Sequence, residues 1–428
     1  MTTTTTPVAQ PTPLARNRNF RLLWFGEGVS VLGSMTTTVV FPLIAVTQFH
    51  AGPFPMGLLA GAVWFPWLVL GLPVGAIVDR SDPRRVMMTA DLVGAVAVAS
   101  VPVAWALDLL TLPHLMVTAL VLGSCTFFFR TAYTALVPRV VHRDDLEAAN
   151  SRIYGTESAM QIAGPGLGGL LVQAFSAAGA VVVDTLSFLV SWVCLWRMRP
   201  DQLGPAPERA ERERMGRQVR EGVRVVVHDR FLRFFAIQGG LGNFALTGYG
   251  ALMVLFLVRD LRLEPSFVGT VIAIGACGGL LGATVATRTV RWLGDAGALR
   301  WLQVLGGPTA ILVGLAQPGV GVALVPLGSF LVGVGVVGAN VVRASFRVRY
   351  TPAALIGLTT ATMAVLNFGT MPLAGLVAGA LGEAIGVRET ILAMAGLNAV
   401  GCLSVFVGPF RKGRELPREP MPAQPIGR

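Results

Sequence analysis

Five ionisable side chains stand inside apolar stretches of this chain: Glu27, Asp91, Arg130, Glu157 and Asp184. A charge in a segment that must sit in lipid is costly, so each reads first as functional. Arg130 and Glu157 fall in consecutive apolar runs and form the sharpest pair. An acid and a base in low dielectric take up and release a proton when substrate displaces one partner. The simpler alternative is an arginine that bonds helix carbonyls. Glu27 lies several residues into its run, roughly 10 Å deep by helical rise, and Asp184 near the middle of its own. These two are the next candidates for carrying a proton. Asp91 lies closer to the end of its run, where a contact with Arg84 or Arg85 is expected.

A second group of residues points to a gate rather than to chemistry. Gly71-Leu-Pro-Val-Gly75-Ala-Ile-Val-Asp79-Arg80-Ser-Asp-Pro-Arg84-Arg85 joins two apolar runs by a short charged loop. Gly71 and Gly75 share a helix face and would let another helix approach closely. Asp79 falls where the chain leaves the apolar zone. A carboxylate there can accept from the free N–H groups at the start of a neighbouring helix. The plain alternative is a small-residue packing face followed by an ordinary basic loop.

The elements that must position these residues are apolar and long. The 428 residues are 53% hydrophobic and only 13% charged, with 51 glycines and a mean hydropathy of +0.66. That composition excludes a set of soluble domains. Runs of about 20 apolar residues recur, each long enough to cross a bilayer as a helix. Twelve spans are expected, near 20–47, 56–78, 86–108, 113–137, 149–174, 178–197, 231–257, 266–288, 298–316, 321–343, 355–380 and 387–408. The expected organisation is a disordered cytoplasmic tail (1–16), a six-helix bundle (17–199), a cytoplasmic linker (200–230), a second six-helix bundle (231–410) and a cytoplasmic tail (411–428). The second half of the linker, from Arg217, reads either as an interfacial helix with its apolar residues in lipid or as a solvated connection.

The net charge of +11 does not mark a nucleic-acid binder, because the arginines are spread between apolar runs. They concentrate in the N-terminal tail and in the loops after even-numbered spans. By the positive-inside rule this places both termini and the linker in the cytoplasm. The four cysteines lie in apolar runs without paired spacing, so neither disulfide nor metal is expected. No nucleotide-binding loop is present, and none of the four histidines stands in a recognisable catalytic motif. The sequence thus calls for no cofactor, no metal and no enzyme.

The chain also repeats itself. Gly71-x-x-x-Gly75 returns as Gly278-x-x-x-Gly282, and Gly169-Leu as Gly375-Leu376, at offsets of 207 and 206 residues. Near-constant offsets imply two similar halves, the design transporters use to build a central site. Ala286 stands where Asp79 does, so the charged gate is one-sided.

With six plus six helices, a long central linker and Gly75-x-x-x-Asp79-Arg80…Arg84-Arg85, the chain resembles the major facilitator superfamily over roughly residues 17 to 410. Further stretches are similar to its enterobactin-exporter and macrolide-efflux group. They include Asn17-Arg-Asn-Phe-Arg-Leu-Leu-Trp-Phe-Gly, Phe128-Phe-Arg130, Leu136-Val-Pro138-Arg139, Asp184-Thr-Leu-Ser187-Phe188 and Phe368-Gly-Thr-Met-Pro372-Leu. Pro83 and Leu358 depart from the group, each standing where arginine is common. Gly164-Pro165-Gly166-x-Gly168-Gly169 looks like the fifth-helix signature of antiporters. Physically, its proline bends a helix and its glycines admit close packing.

The resemblance implies export of an amphipathic small molecule (a drug, siderophore or secondary metabolite) by alternating access, with protons as counter-ion. It also implies a monomer in the bacterial inner membrane, with lipid, substrate and protons as its partners. The alternatives are an importer or lysolipid flippase on the same fold, or a membrane sensor that transports nothing. In the second half, Gln238, Asn243, Asn340 and Asn367 are the expected polar contacts along the cavity, with Trp64, Phe65, Trp67 and Phe127 to Phe129 as candidate apolar lining.

Overall fold

A computed structural model describes residues 14–175, 177–204, 215–407, 409, 416, 417 and 421. The described residues with regular structure are helical. Those of the first half are α1 (Arg18–Thr47), α2 (Pro53–Val69), α3 (Gly71–Arg80), α4 (Pro83–Ala106), α5 (Leu112–Val140), α6 (Leu146–Phe175) and α7 (Ala177–Trp196). α8 (Met215–His228) leads into the second half: α9 (Arg230–Leu255), α10 (Pro265–Gly306), α11 (Ile311–Gly314), α12 (Leu324–Tyr350), α13 (Ala353–Phe368), α14 (Met371–Ile385) and α15 (Val387–Leu403). Among the described residues, nine segments are long and apolar enough to cross a bilayer.

The expected spans and the observed helices differ at two kinds of place. α2 and α3 together fill the second expected span and break at Leu70, whose N–H still donates to the Pro66 carbonyl at 2.7 Å. In α10 two expected spans run together. Gly294, at φ 69° and ψ 171°, separates them, a left-handed backbone that glycine adopts at no steric cost.

Both halves begin with the same device. Asn17 caps α1: its Oδ1 accepts from the Phe20 N–H at 3.0 Å, and its Nδ2 donates to the Val140 carbonyl at the end of α5 at 2.7 Å. Asp229 caps α9 by accepting from the Phe231 and Leu232 N–H groups at 2.9 and 2.8 Å. Its other oxygen accepts from the Tyr350 hydroxyl at the end of α12, at 2.7 Å. A short polar cap thus ties the first helix of each half to the end of its fourth long segment, a repeat carried by different chemistry.

The start of α1 and the start of α9 define one pole of the bundle, called here the near pole. The other ends, at Thr47, Pro53 and Pro265, define the far pole. Buried hydrophobic residues form a single core across both halves toward the far pole, with Val40, Ile44 and Met56 from one side and Leu252, Phe256 and Ala378 from the other. At the near pole there are two separate cores, one per half: Phe20, Leu136 and Leu195 in the first, and Phe231, Leu299 and Phe346 in the second. The halves are welded at the far pole and split at the near one.

Glycines make the weld. Gly57 of α2 faces the Gly375 carbonyl and Gly379 of α14. A Cβ on Gly269 of α10 would stand 3.0 Å from the Gly169 Cα of α6. Neither approach leaves room for a side chain, which is how small residues bring helices together. An exposed polar contact closes the rim: the Glu383 carboxylate at the end of α14 accepts from the Phe54 N–H at the start of α2, at 3.2 Å.

Parts of the linker and tails pack on the bundle. Val225 and Val226 of α8 are buried in the near-pole core of the second half, and Gly222 lies against Leu358 of α13. The end of α8 from Gly222 onward therefore packs on protein on one side, while Val223 and Val227 stay exposed. Leu14 is buried in a short turn before α1. Leu416 and Met421 pack into the same second-half core. Residues 1–13, 205–214 and 411–415 lie outside the described residues.

Candidate functional site

The split at the near pole leaves two cavities, one in each half. Their polar residues come from helices that enter at the same pole, at comparable depths. Counted along the helix axes, Glu27, Asp91, Arg130, Glu157 and Gln238 all lie about 12–17 Å from the near-pole ends of their helices.

The cavity of the first half measures about 110 Å³ and is lined by Glu27 of α1, Asp91 of α4, Arg130 of α5 and Glu157 of α6. The Arg130 Nη2 donates to both oxygens of Glu157, at 3.2 and 3.4 Å. The Arg130 side chain is 52% exposed and that of Glu157 10%, so water reaches the base and hardly the acid. Glu27 and Asp91 are buried, at 8% and 1% exposure. The Glu27 Oε2 and both Asp91 oxygens make no hydrogen bond that satisfies distance and angle, although Ser191 is the polar neighbour of Asp91. Three carboxylates thus line one cavity with a single guanidinium, which is bonded to Glu157.

Several sequence expectations change here. Asp91 does not meet Arg84 or Arg85. It lies eight residues inside α4 and turns into the cavity. Arg84 instead caps the end of α7, donating to the Leu195 and Trp196 carbonyls at 2.7 and 2.8 Å, and Arg85 is paired at 3.9 Å with Asp82. Asp82 is the carboxylate the loop is built on. It caps α4 through the Arg84 N–H and lies 4.0 Å from Arg139. Asp184 does not line the cavity. It accepts from the Thr37 hydroxyl and from the Ser187 hydroxyl at 3.0 Å, which ties α7 to α1 nearer the far pole.

The Gly75 face was expected to admit a close helix, but a side chain there would meet nothing within 4 Å. Its counterparts Gly278 and Gly282 do pack, against the Phe330 and Val334 carbonyls of α12. The difference lies in the neighbour: Gly278 and Gly282 meet α12, a helix of their own half. Arg80 is exposed. The side chains of Gly71 and Asp79 lie outside the described residues. In the fifth-helix motif, Gly164 and Gly168 seat α6 on Met35 and on Thr36 of α1, while Pro165 and Gly169 meet Gly269 of α10. The motif joins one helix to both halves at the far pole.

The cavity of the second half is larger, about 320 Å³, and all four expected amides line it: Gln238, Asn243, Asn340 and Asn367. So do Gln303, Asn398, Arg343 and Arg347. The two arginines look like loop residues in a charge count. Their spacing carried the missed signal: Asn340, Arg343 and Arg347 lie three and four apart, on one face of a helix.

An aromatic cluster links the halves between the cavities. The rings of Trp64 and Phe368 stack with centroids 6.0 Å apart. Trp67 approaches Phe368 to 5.1 Å and Phe127 to 4.5 Å. Phe129 lines the first cavity, and Phe65 is instead exposed. Among the described residues, no group of His, Cys, Asp and Glu is arranged to hold a metal ion.

Long apolar helices, two similar halves and cavities opening at one pole define a multi-pass membrane transporter. Residues 23–371 match the Major Facilitator Superfamily, and the chain belongs to that family. The multidrug efflux pump Tap of Mycolicibacterium fortuitum is 28% identical over 399 residues, 91% of this chain and 96% of that protein. Macrolide efflux protein A of Streptococcus pyogenes is 23% identical over 265 residues, 61% of this chain and 64% of its own. Among solved structures, the nucleoside transporter NupG superposes with a TM-score of 0.72 at 13% identity, covering 91% of this chain and 98% of its own. A bacterial homologue of ferroportin in an inward-facing state gives 0.71 at 16% identity, covering 91% and 97%. The protein is a transporter and not an enzyme.

Proposed function

We propose that this chain exports an amphipathic small molecule across the bacterial inner membrane in exchange for protons. The observation that carries the reading is the first-half cavity, where three carboxylates face one guanidinium. Carboxylates held from water at that ratio need protons or a cation to balance them. Efflux pumps among the relatives support outward transport.

The arginine distribution puts the near pole and both termini in the cytoplasm, so this conformation opens inward. Substrate enters from the cytoplasm, and protons leave to that side as Arg130 and Glu157 pair. The near pole then closes and the glycine weld at the far pole opens. On closure the open Gly75 face of α3 receives a helix of the second half, and Asp79 caps it. Gly71, Arg80, Arg84, Arg85 and Asp82 frame that contact.

Whole cells loaded in parallel with a fluorescent rhodamine carrying a free carboxylate and with its methyl ester test this. Cells expressing the protein should clear dye faster than cells without it, and an uncoupler should abolish the difference. The same cells test orientation in a cysteine-free background. An impermeant thiol reagent should label Leu109→Cys, which stands 67% exposed, and spare Asp144→Cys, whose side chain is 85% exposed. Dye clearance that ignores the uncoupler would remove the proton from the mechanism. Net accumulation would make the chain an importer, and clearance equal to that of control cells would leave a membrane sensor.

A further inference from the structure

Three arginines of this protein illustrate how such a charge is usually provided for. Arg349 is paired with Asp295 at 2.6 Å, Arg130 with Glu157 at 3.2 Å, and Arg388 donates to the Gly314 and Ala316 carbonyls at 3.0 and 2.6 Å. The two arginines of the second-half cavity are provided for differently. Arg343 donates only to neutral oxygens: Asn340 Oδ1 at 2.7 Å, and more weakly Gln238 Oε1 and the Ala339 carbonyl at 3.4 Å. Arg347 reaches the Met363 Sδ at 3.7 Å, and its Nε is buried without a hydrogen bond. Among the described residues neither forms an ion pair, and the cavity lining contains no carboxylate.

Half-buried guanidinium groups without a counter-charge lose hydration that nothing replaces in full, and the fork of a guanidinium matches a carboxylate or phosphate. The neighbours are fixed for the same purpose. Gln238 donates its Nε2 to the Gly401 carbonyl at 3.0 Å, which turns its Oε1 toward Arg343. Asn398 is held by the Gly306 carbonyl at 3.3 Å. Phe368 also lines this cavity and carries the Trp64 and Trp67 rings behind it.

We propose that Arg343 and Arg347 form an anion subsite, and that the substrate is an aromatic amphiphile carrying a carboxylate or similar oxyanion. The inference rests on the transport reading above and names its substrate class. The oxyanion docks on the two guanidinium groups, and the aromatic body lies against Phe368.

A matched pair of dyes tests it: a rhodamine with a free carboxylate, and the same rhodamine as its methyl ester. Both are titrated into the purified full-length protein in phosphatidylcholine nanodiscs, and binding is read by fluorescence anisotropy. The free acid should bind at least about tenfold more tightly than the ester. In Arg343→Gln plus Arg347→Gln that ratio should fall toward one. Arg343→Lys plus Arg347→Lys, which keeps the charge and loses the fork, should give an intermediate ratio and so exclude misfolding as the cause. A ratio near one in the unaltered protein, or a ratio kept in the glutamine variant, overturns the subsite and leaves export of a cationic amphiphile standing. If neither dye binds, the amphipathic-substrate reading falls with it. A repeat with phosphatidylglycerol in the nanodiscs separates the two sources of oxyanion. Loss of the preference only there would assign the site to a lipid headgroup and overturn the substrate proposal.

Discussion

The cavities of the two halves lie at comparable depth and carry opposite charge. The first holds three carboxylates and one arginine, the second two arginines and no carboxylate. Both are built on helices that start from equivalent polar caps, so the difference belongs to the side chains rather than the frame. A duplicated frame fixes where a site can be, and each copy then takes its own chemistry. The first half is suited to exchange protons, since its charge changes with protonation. The second is suited to hold an anion, since guanidinium stays charged at any working pH.

The largest effect should come from exchanging the roles directly. Arg130→Gln plus Glu157→Gln removes an acid and a base without stranding either. Uphill export driven by a pH gradient in proteoliposomes should fall to the passive rate, while dye binding persists. Arg343→Gln plus Arg347→Gln should instead change which dye is chosen, and the transport that remains should still follow the gradient. If the second pair abolished gradient dependence and the first did not, the assignment of roles would be reversed.

A smaller effect is expected from Asp91→Asn. Export should speed up as the outer medium is acidified, because carboxylates of the first cavity load protons from outside and release them inside. Removing one of three should cut the gradient-driven rate about tenfold, the equivalent of about 1.4 kcal/mol in a barrier, and flatten its dependence on outer pH. Unchanged pH dependence would make Asp91 a structural residue.

The smallest effect should follow Glu383→Gln, which acts on neither cavity. The carboxylate helps the exposed start of α2 by about 0.3–1 kcal/mol, and only while the far pole is closed. Its loss favours the outward-open state by about two- to fivefold. An impermeant thiol reagent applied outside intact cells should label Ser34→Cys, which lines the first cavity, faster by that factor. An unchanged rate would mean that the glycine weld alone sets the balance.

The sequence by itself determined that the chain is helical and spans a membrane, because apolar length is a local property of the chain. It also determined that the chain is made of two related halves, because a repeat is visible wherever spacing is kept. It named Arg130 and Glu157 as a pair and four of the six amides of the second cavity, since each is a polar residue inside an apolar run. Only the tertiary structure decided which charges share a cavity. Asp91 and Asp184 look alike in sequence, but one turns unpaired into the first cavity and the other is bound by two hydroxyls. Arg343 and Arg347 look like the cytoplasmic arginines beside them, and helix packing brings them inside. The reason is that cost and role depend on what a charge faces, and in a helical bundle that is settled by side chains of other helices, with Thr37 doing so for Asp184 and Gln238 for Arg343.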